Sequence, residues 1–156
     1  MKKEVGNDWF GNSGVFEVYL YQDRHANMII TKSTAGINVS VELQYNARQS
    51  HPIASHYFFV YSITIKNVSD YTIQLKKRHW YIFDSNGIKS EVEGEGVVGE
   101  QPTIMPGQSY QYVSGCNLSS DMGKMGGIYI MEREIDGEVF NVAIPEFMMI
   151  VPYKLN

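Results

Sequence analysis

From residue 37 onward the chain alternates apolar and polar side chains. Ile37, Val39, Val41 and Leu43 lie two apart, with Asn38, Ser40 and Glu42 between them, which is the period of a strand with one covered and one wet face. Residues 56–66 repeat the pattern with Tyr57, Phe59, Tyr61, Ile63 and Ile65 on one side. The other side carries Phe58 and Val60 before turning polar at Ser62, Thr64 and Lys66, so half of this strand is expected to be covered on both faces. Further strands are predicted over residues 71–75, 78–83, 88–93, 109–113, 128–135 and 139–144. Turn signals separate them. Asn86-Gly87 predicts a tight hairpin with both residues at positive φ, Pro106-Gly107 and Asp136-Gly137 predict turns, Gly126-Gly127 opens a strand, and Pro145 ends one.

No long segment shows a helical period. Seven to eight short strands with regular turns predict an all-β protein, two antiparallel sheets packed face to face in an immunoglobulin-like (fibronectin type III-like) sandwich. Residues 1–27 read differently, with loop formers at Asn7, Gly11, Asn12 and Gly14 and a short strand near residues 16–21. They are expected to form a peripheral or flexible extension, leaving 28–156 as the domain.

Composition narrows the function classes. With 156 residues, 44% hydrophobic and 19% charged, the chain can bury one substantial core. A net charge of −4 argues against nucleic-acid binding, which usually needs a basic face. The dense basic run Lys76-Lys77-Arg78 is expected to be the solvated edge of a sheet. One cysteine, Cys116, excludes an intrachain disulfide framework and a cysteine-rich zinc site. No run of 18 apolar residues is present, so no helical membrane span is expected, and the start lacks the pattern of a signal peptide. A cytoplasmic location is the expectation.

The one motif with a chemical meaning is Gly94-Glu95-Gly96-Val97-Val98-Gly99, which has the G-x-G-x-x-G spacing of a dinucleotide loop. That loop works by presenting a helix N-terminus to phosphate. Here Glu100-Gln101-Pro102 follows, and proline at 102 drives Gln101 out of helical conformation. The carboxylates of Glu91, Glu93, Glu95 and Glu100 would also repel an anion. A strand end with a bulge and a surface loop is the expectation. The same carboxylates form an acidic lip, but on a strand they stand about 6.6 Å apart, too far to chelate one ion closely. His25, His51, His56 and His79 have no close ligand spacing. Cys116 and Ser114 show no base or hydrolase elbow beside them, and Cys116 reads as a small, buried, inert thiol.

Several segments together are similar to the ApaG family. They are Tyr57-Phe58-Phe59-Val60-Tyr61-Ser62-Ile63-Thr64-Ile65-Lys66-Asn67, Arg78-His79-Trp80, and the run from Glu93 through the glycine motif to Gln101-Pro102. Pro106-Gly107, Tyr112-x-Ser114-Gly115-Cys116, Met125-x-Gly127-x-Tyr129 and Ile144-Pro145-x-Phe147 complete the likeness. The resemblance covers residues 35–150 and implies an immunoglobulin-like sandwich. It implies a genetic link to cobalt resistance and magnesium efflux in bacteria, and a partner-binding role where the domain is appended to larger eukaryotic proteins. It carries over no catalytic residue.

Taken together, these features predict a non-catalytic binding module for an unidentified protein partner, with no cofactor. The candidate site is the loop over residues 93–101 with the neighbouring strand, carried by Arg78, Trp80, Glu93, Gly94, Glu95, Gly96, Gly99 and Glu100. The alternatives are a nucleotide or pyrophosphate protein using the 94–99 loop, and a divalent-cation binder using the acidic lip.

Overall fold

A computed structural model describes residues 28–155, together with the backbone of residues 18 and 19. Ten strands follow one another: β1 (Val18–Tyr19), β2 (Met28–Thr34), β3 (Ile37–Tyr45), β4 (Tyr57–Asn67), β5 (Ile73–Asp84), β6 (Lys89–Glu95), β7 (Thr103–Ile104), β8 (Ser109–Leu118), β9 (Met122–Arg133) and β10 (Val139–Ile150). One sheet has the order β1-β2-β3-β4-β8, and the other β10-β9-β5-β6, with β7 pairing β5 beyond the end of β6. Every pairing is antiparallel. This is the all-β sandwich that the alternation predicts. The reading of residues 1–27 as peripheral falls outside the described residues, apart from the two-residue pairing of β1 with β2.

The inward residues of both sheets make one core. Ile37, Val39 and Val41 of β3, Phe59, Ile63 and Ile65 of β4, and Leu75, Tyr129, Met131, Val142 and Met149 of the other sheet are buried. Each such side chain contributes about 1.5–3 kcal/mol relative to exposure. An aromatic cluster ties the sheets together. Tyr61 of β4 lies 5.5 Å from Trp80 and 5.8 Å from Phe147 between ring centroids, and Trp80 meets Phe147 edge-on.

The structure departs from the sequence pattern at four places, each for a local reason. The strands expected over 71–75 and 78–83 are not two: from Ile73 onward both belong to β5, which runs unbroken with a bulge at Lys76, where its register on β9 slips. The basic run is therefore central, between β9 and β6, and not a sheet edge. Gly126 and Gly127 do not open a strand. They lie inside β9, where a Cβ on Gly127 would come within 2.1 Å of the His79 carbonyl oxygen; close approach of backbone, not a turn, demands the glycine. Pro145 does not stop β10, because β10 is an edge strand and takes the proline at a register shift between Ile144 and Phe147. At the β5–β6 hairpin only Gly87 has positive φ (93°). Its amide bonds the Asp84 carbonyl and Asp84 N–H bonds Ile88 O, a three-residue loop closed by a left-handed glycine and not a two-residue Asn-Gly turn.

Two buried polar residues hold the loops. Asn67, fully buried, donates to the carbonyls of Tyr71 and Ile104 and accepts from Ser69 N–H and hydroxyl, which joins the β4–β5 and β7–β8 turns. Asp84 accepts from Ser119 N–H (2.6 Å), the Ser119 hydroxyl (2.7 Å) and the Ser120 hydroxyl. It thereby fixes the segment that carries the chain from β8 in one sheet to β9 in the other. Burial alone would raise the Asp84 carboxyl, but the bonds from Ser120 and Ser119 outweigh it and hold the group below the usual carboxylate range.

At the side of the sandwich where the site lies, each sheet ends in an edge strand. β6 is short and acidic. β8 spans ten residues without a single charged side chain.

Candidate functional site

β6 and β7 lie in tandem along the same side of β5, and residues 96–102 bridge the gap between them opposite the Lys76 bulge. The Lys76 carbonyl, freed by the bulge, accepts from Gly96 N–H (2.8 Å) and from the Gln101 amide (2.9 Å). Leu75 N–H bonds Pro102 O at 3.0 Å. Between these anchors the chain reverses through Val97-Val98-Gly99-Glu100, with Val97 and Glu100 exchanging both main-chain bonds. Val98 and Gly99 have φ of 50° and 79°, a two-residue turn of type I′. Val97 is fully buried and pins the turn to the core.

Each glycine of the motif now has a reason. On β6, Gly94 pairs with Arg78, and a Cβ there would sit 2.9 Å from the guanidinium. Arg78 lies flat across that gap and donates to the carbonyls of Glu95 (3.1 Å) and Gly96 (2.7 Å). Gly96 has φ 57°, and a Cβ would fall 1.9 Å from Glu100 O. Gly99 fills the second central position of the turn, where positive φ is required. No helix follows. The amides of Gly96, Val97 and Glu100 are committed to main-chain carbonyls, so the array that a dinucleotide loop offers to phosphate is not built.

The predicted site residues divide between two faces. Register places Arg78 and Trp80 on the inward face of β5. Arg78 is half-buried beneath the loop, whereas Trp80 is 2% exposed. Trp80 is therefore a core residue and not a contact on the binding surface, because its ring packs against Tyr61, Tyr129 and Phe147 between the sheets. Glu91, Glu93 and Glu95 project outward and are exposed, as is Glu100. The His79 ring lies between Glu91 (Nε2 to Oε2, 2.9 Å) and Glu93 (Nδ1 to Oε1, 3.0 Å) and stacks on Tyr81 at 4.3 Å. Glu100 instead accepts from Tyr110 O–H at 2.9 Å. Glu91 and Glu93 thus share one imidazole while Glu100 turns to Tyr110, and no group of three or more side chains able to hold a metal ion is formed among the described residues.

Beneath the loop, the Tyr112 and Tyr129 hydroxyls meet at 2.5 Å across the two sheets. Burial pushes both phenols well above their ordinary range, so both stay neutral and one donates to the other. Cys116 is buried, and burial with the nearby Asp84 charge pushes its thiol up to about 11, which leaves it a poor nucleophile at neutral pH. Sequence reasoning missed Val97 and Tyr110 as the supports of the loop. The inward step of Val97 in the alternation was the available signal; the reach of Tyr110 to Glu100 had none.

A sequence model of the ApaG domain matches residues 47–133, from the loop after β3 to the end of β9. The chain belongs to the ApaG family. Protein ApaG of Brucella anthropi is 50% identical over 119 residues, 76% of this chain and 91% of that one. Protein ApaG of Thiobacillus denitrificans is 46% identical over 120 residues, with 77% and 94% covered. Among solved structures, a Bordetella pertussis protein described as ApaA aligns with a TM-score of 0.72 and 40% identity, covering 74% of this chain and 94% of its own. The clamped glycine loop, Arg78 and β6 all lie inside the segment that the ApaG domain match covers.

Proposed function

We propose that this chain is a non-catalytic, cytoplasmic binding module for a protein partner, with the loop over residues 93–101 and the adjoining β6 as its contact region. One observation carries the reading: the loop is held in a single projecting shape by bonds made within the protein. Arg78, the Lys76 carbonyl and buried Val97 fix it from below, while Glu95, Val98, Gly99 and Glu100 are left exposed. Val98 is a β-branched residue at positive φ and 65% exposed, which gives an acidic lip an apolar tip. A pre-ordered loop binds without the ordering cost that a flexible one bears. Supporting this, the buried hydroxyls and thiol are bonded or neutral, and the glycine loop spends its amides internally. The link of ApaG proteins to cobalt resistance and magnesium efflux would then act through the partner.

The test is affinity purification of the full chain beside a Val98→Lys/Glu95→Lys variant, with a photo-crosslinker placed at position 98 and, as a control, at exposed Val139. A stoichiometric protein recovered by the native chain, crosslinked from position 98 and lost with the variant, is the expected result. Recovery of the same partner by both chains, or crosslinking from position 139 alone, would overturn the assignment.

A further inference from the structure

Resting on that reading, the geometry points to how the partner is held: β6 takes an extended basic segment as an added antiparallel strand, with lysine or arginine at alternate positions opposite Glu91 and Glu93.

The backbone sets which groups are free. β6 pairs with β5 on one side only, and no strand lies on its other side among the described residues. Bonds from Gly96 N–H to Lys76 O and from Asp84 N–H to Ile88 O fix the phase of the ladder. Antiparallel pairs alternate between bonded and non-bonded, so the even positions Ser90, Val92 and Gly94 spend their main-chain groups on β5. The N–H and C=O of Glu91 and Glu93 point away from it, toward solvent. Four main-chain partners therefore stand in a row on an edge about 20 Å long at strand rise.

The side chains select the occupant. Glu91 and Glu93 face one side, with side chains 63% and 72% exposed and steadied by His79 between them. Val92 faces the other side, 43% exposed. In the bonded pairs, a partner residue opposite each glutamate shares its face, about 5.5 Å away between Cα atoms, where an opposite charge stabilises and a like charge repels. The residue between them lies beside Val92. The complementary segment reads basic–apolar–basic. A second copy of β6 does not fit: antiparallel self-pairing centred on Glu91, Val92 or Glu93 sets glutamate against glutamate in each case.

The probe is the acetylated, amidated peptide Thr-Lys-Val-Lys-Val-Lys-Thr, titrated into the labelled full chain and followed by amide shifts and hydrogen exchange. Saturable shifts centred on the Glu91 and Glu93 amides are expected, with slowed exchange of both. Affinity should fall about tenfold between roughly 0.05 M and 0.5 M salt. Glu93→Pro removes one outward N–H and one carboxylate while sparing the inward ladder, and is expected to melt with the native chain yet lose binding at least about tenfold. The same peptide N-methylated at its lysine amides keeps its charge but cannot pair, and should not bind, an arm that does not depend on any variant folding. Equal binding by the N-methylated peptide, or by Thr-Val-Lys-Lys-Lys-Val-Thr, would reduce the effect to bulk charge and sink the strand-addition inference. So would an absence of shifts at Glu91 and Glu93 at millimolar peptide. If the partner still crosslinks from position 98 in those cases, the edge inference fails alone; if position 98 is also silent, both fail.

Discussion

At the residue scale, two features make sharp demands. The Tyr112–Tyr129 hydroxyl pair is enclosed between the sheets. Removing either hydroxyl leaves its partner buried without a bond, at a cost of about 1–3 kcal/mol, whereas removing both deletes the need. Urea unfolding of Tyr112→Phe, Tyr129→Phe and the double variant should therefore show the double loss well below the sum of the singles; strict additivity would refute a coupled pair. Val98 makes the opposite case. A β-branched residue at φ 50° is strained, and Asn-Gly is the preferred filling of a type I′ turn. Val98→Asn should raise stability by about 0.5–1 kcal/mol, and a fall in Tm would show that the valine contributes packing not visible from its exposure.

At the element scale, close approach and loop anchoring set what each strand can tolerate. In β9, Gly127→Ala forces a Cβ against the His79 carbonyl at 2.1 Å. It should cost about 3 kcal/mol or more by displacing β5, visible as a large drop in denaturation midpoint; a near-native midpoint would mean that β9 can move away cheaply. Asp84 links the same strands through the β8–β9 segment. Its folded carboxyl lies below the ordinary value, since the bonds from Ser120 and Ser119 outweigh burial. The stabilisation is therefore complete above the unfolded value near pH 4 and is lost as pH falls through the lower folded value. The stability gap between the native chain and Asp84→Asn should narrow only in that acid window. A gap constant down to pH 2 would remove the carboxylate from the account.

These elements also show what the sequence made legible. Alternation in β3 and β4 revealed both strands and their inward faces, because a half-buried strand writes its burial directly into a period of two. Glycine and proline misled at 126–127 and 145. There they answer to a neighbouring carbonyl and to an edge position, and both are tertiary facts. The glycine motif was correctly separated from a helix by Pro102, yet its purpose was hidden: Gly94 is small because Arg78 lies over it, and nothing in the linear order brings those two together. Trp80 was placed on the surface by chemical type, while its register put it inside.

At the scale of the whole molecule, the two edges on the site's side differ in how they meet other chains. β6 carries carboxylates that reject a copy of itself, while β8 presents ten uncharged residues and, among the described residues, pairs only with β4, roughly fifty positions earlier in the chain. Such distant pairing closes late, on a timescale of about milliseconds to seconds. Until it does, β8 is an unguarded template for intermolecular association. Refolding yield should therefore fall with protein concentration, and Val113→Lys, at an outward and 60% exposed position, should restore it without altering equilibrium stability. The strand that most needs a companion in the finished sandwich is thus the one that makes assembly from a crowded, unfolded start hazardous.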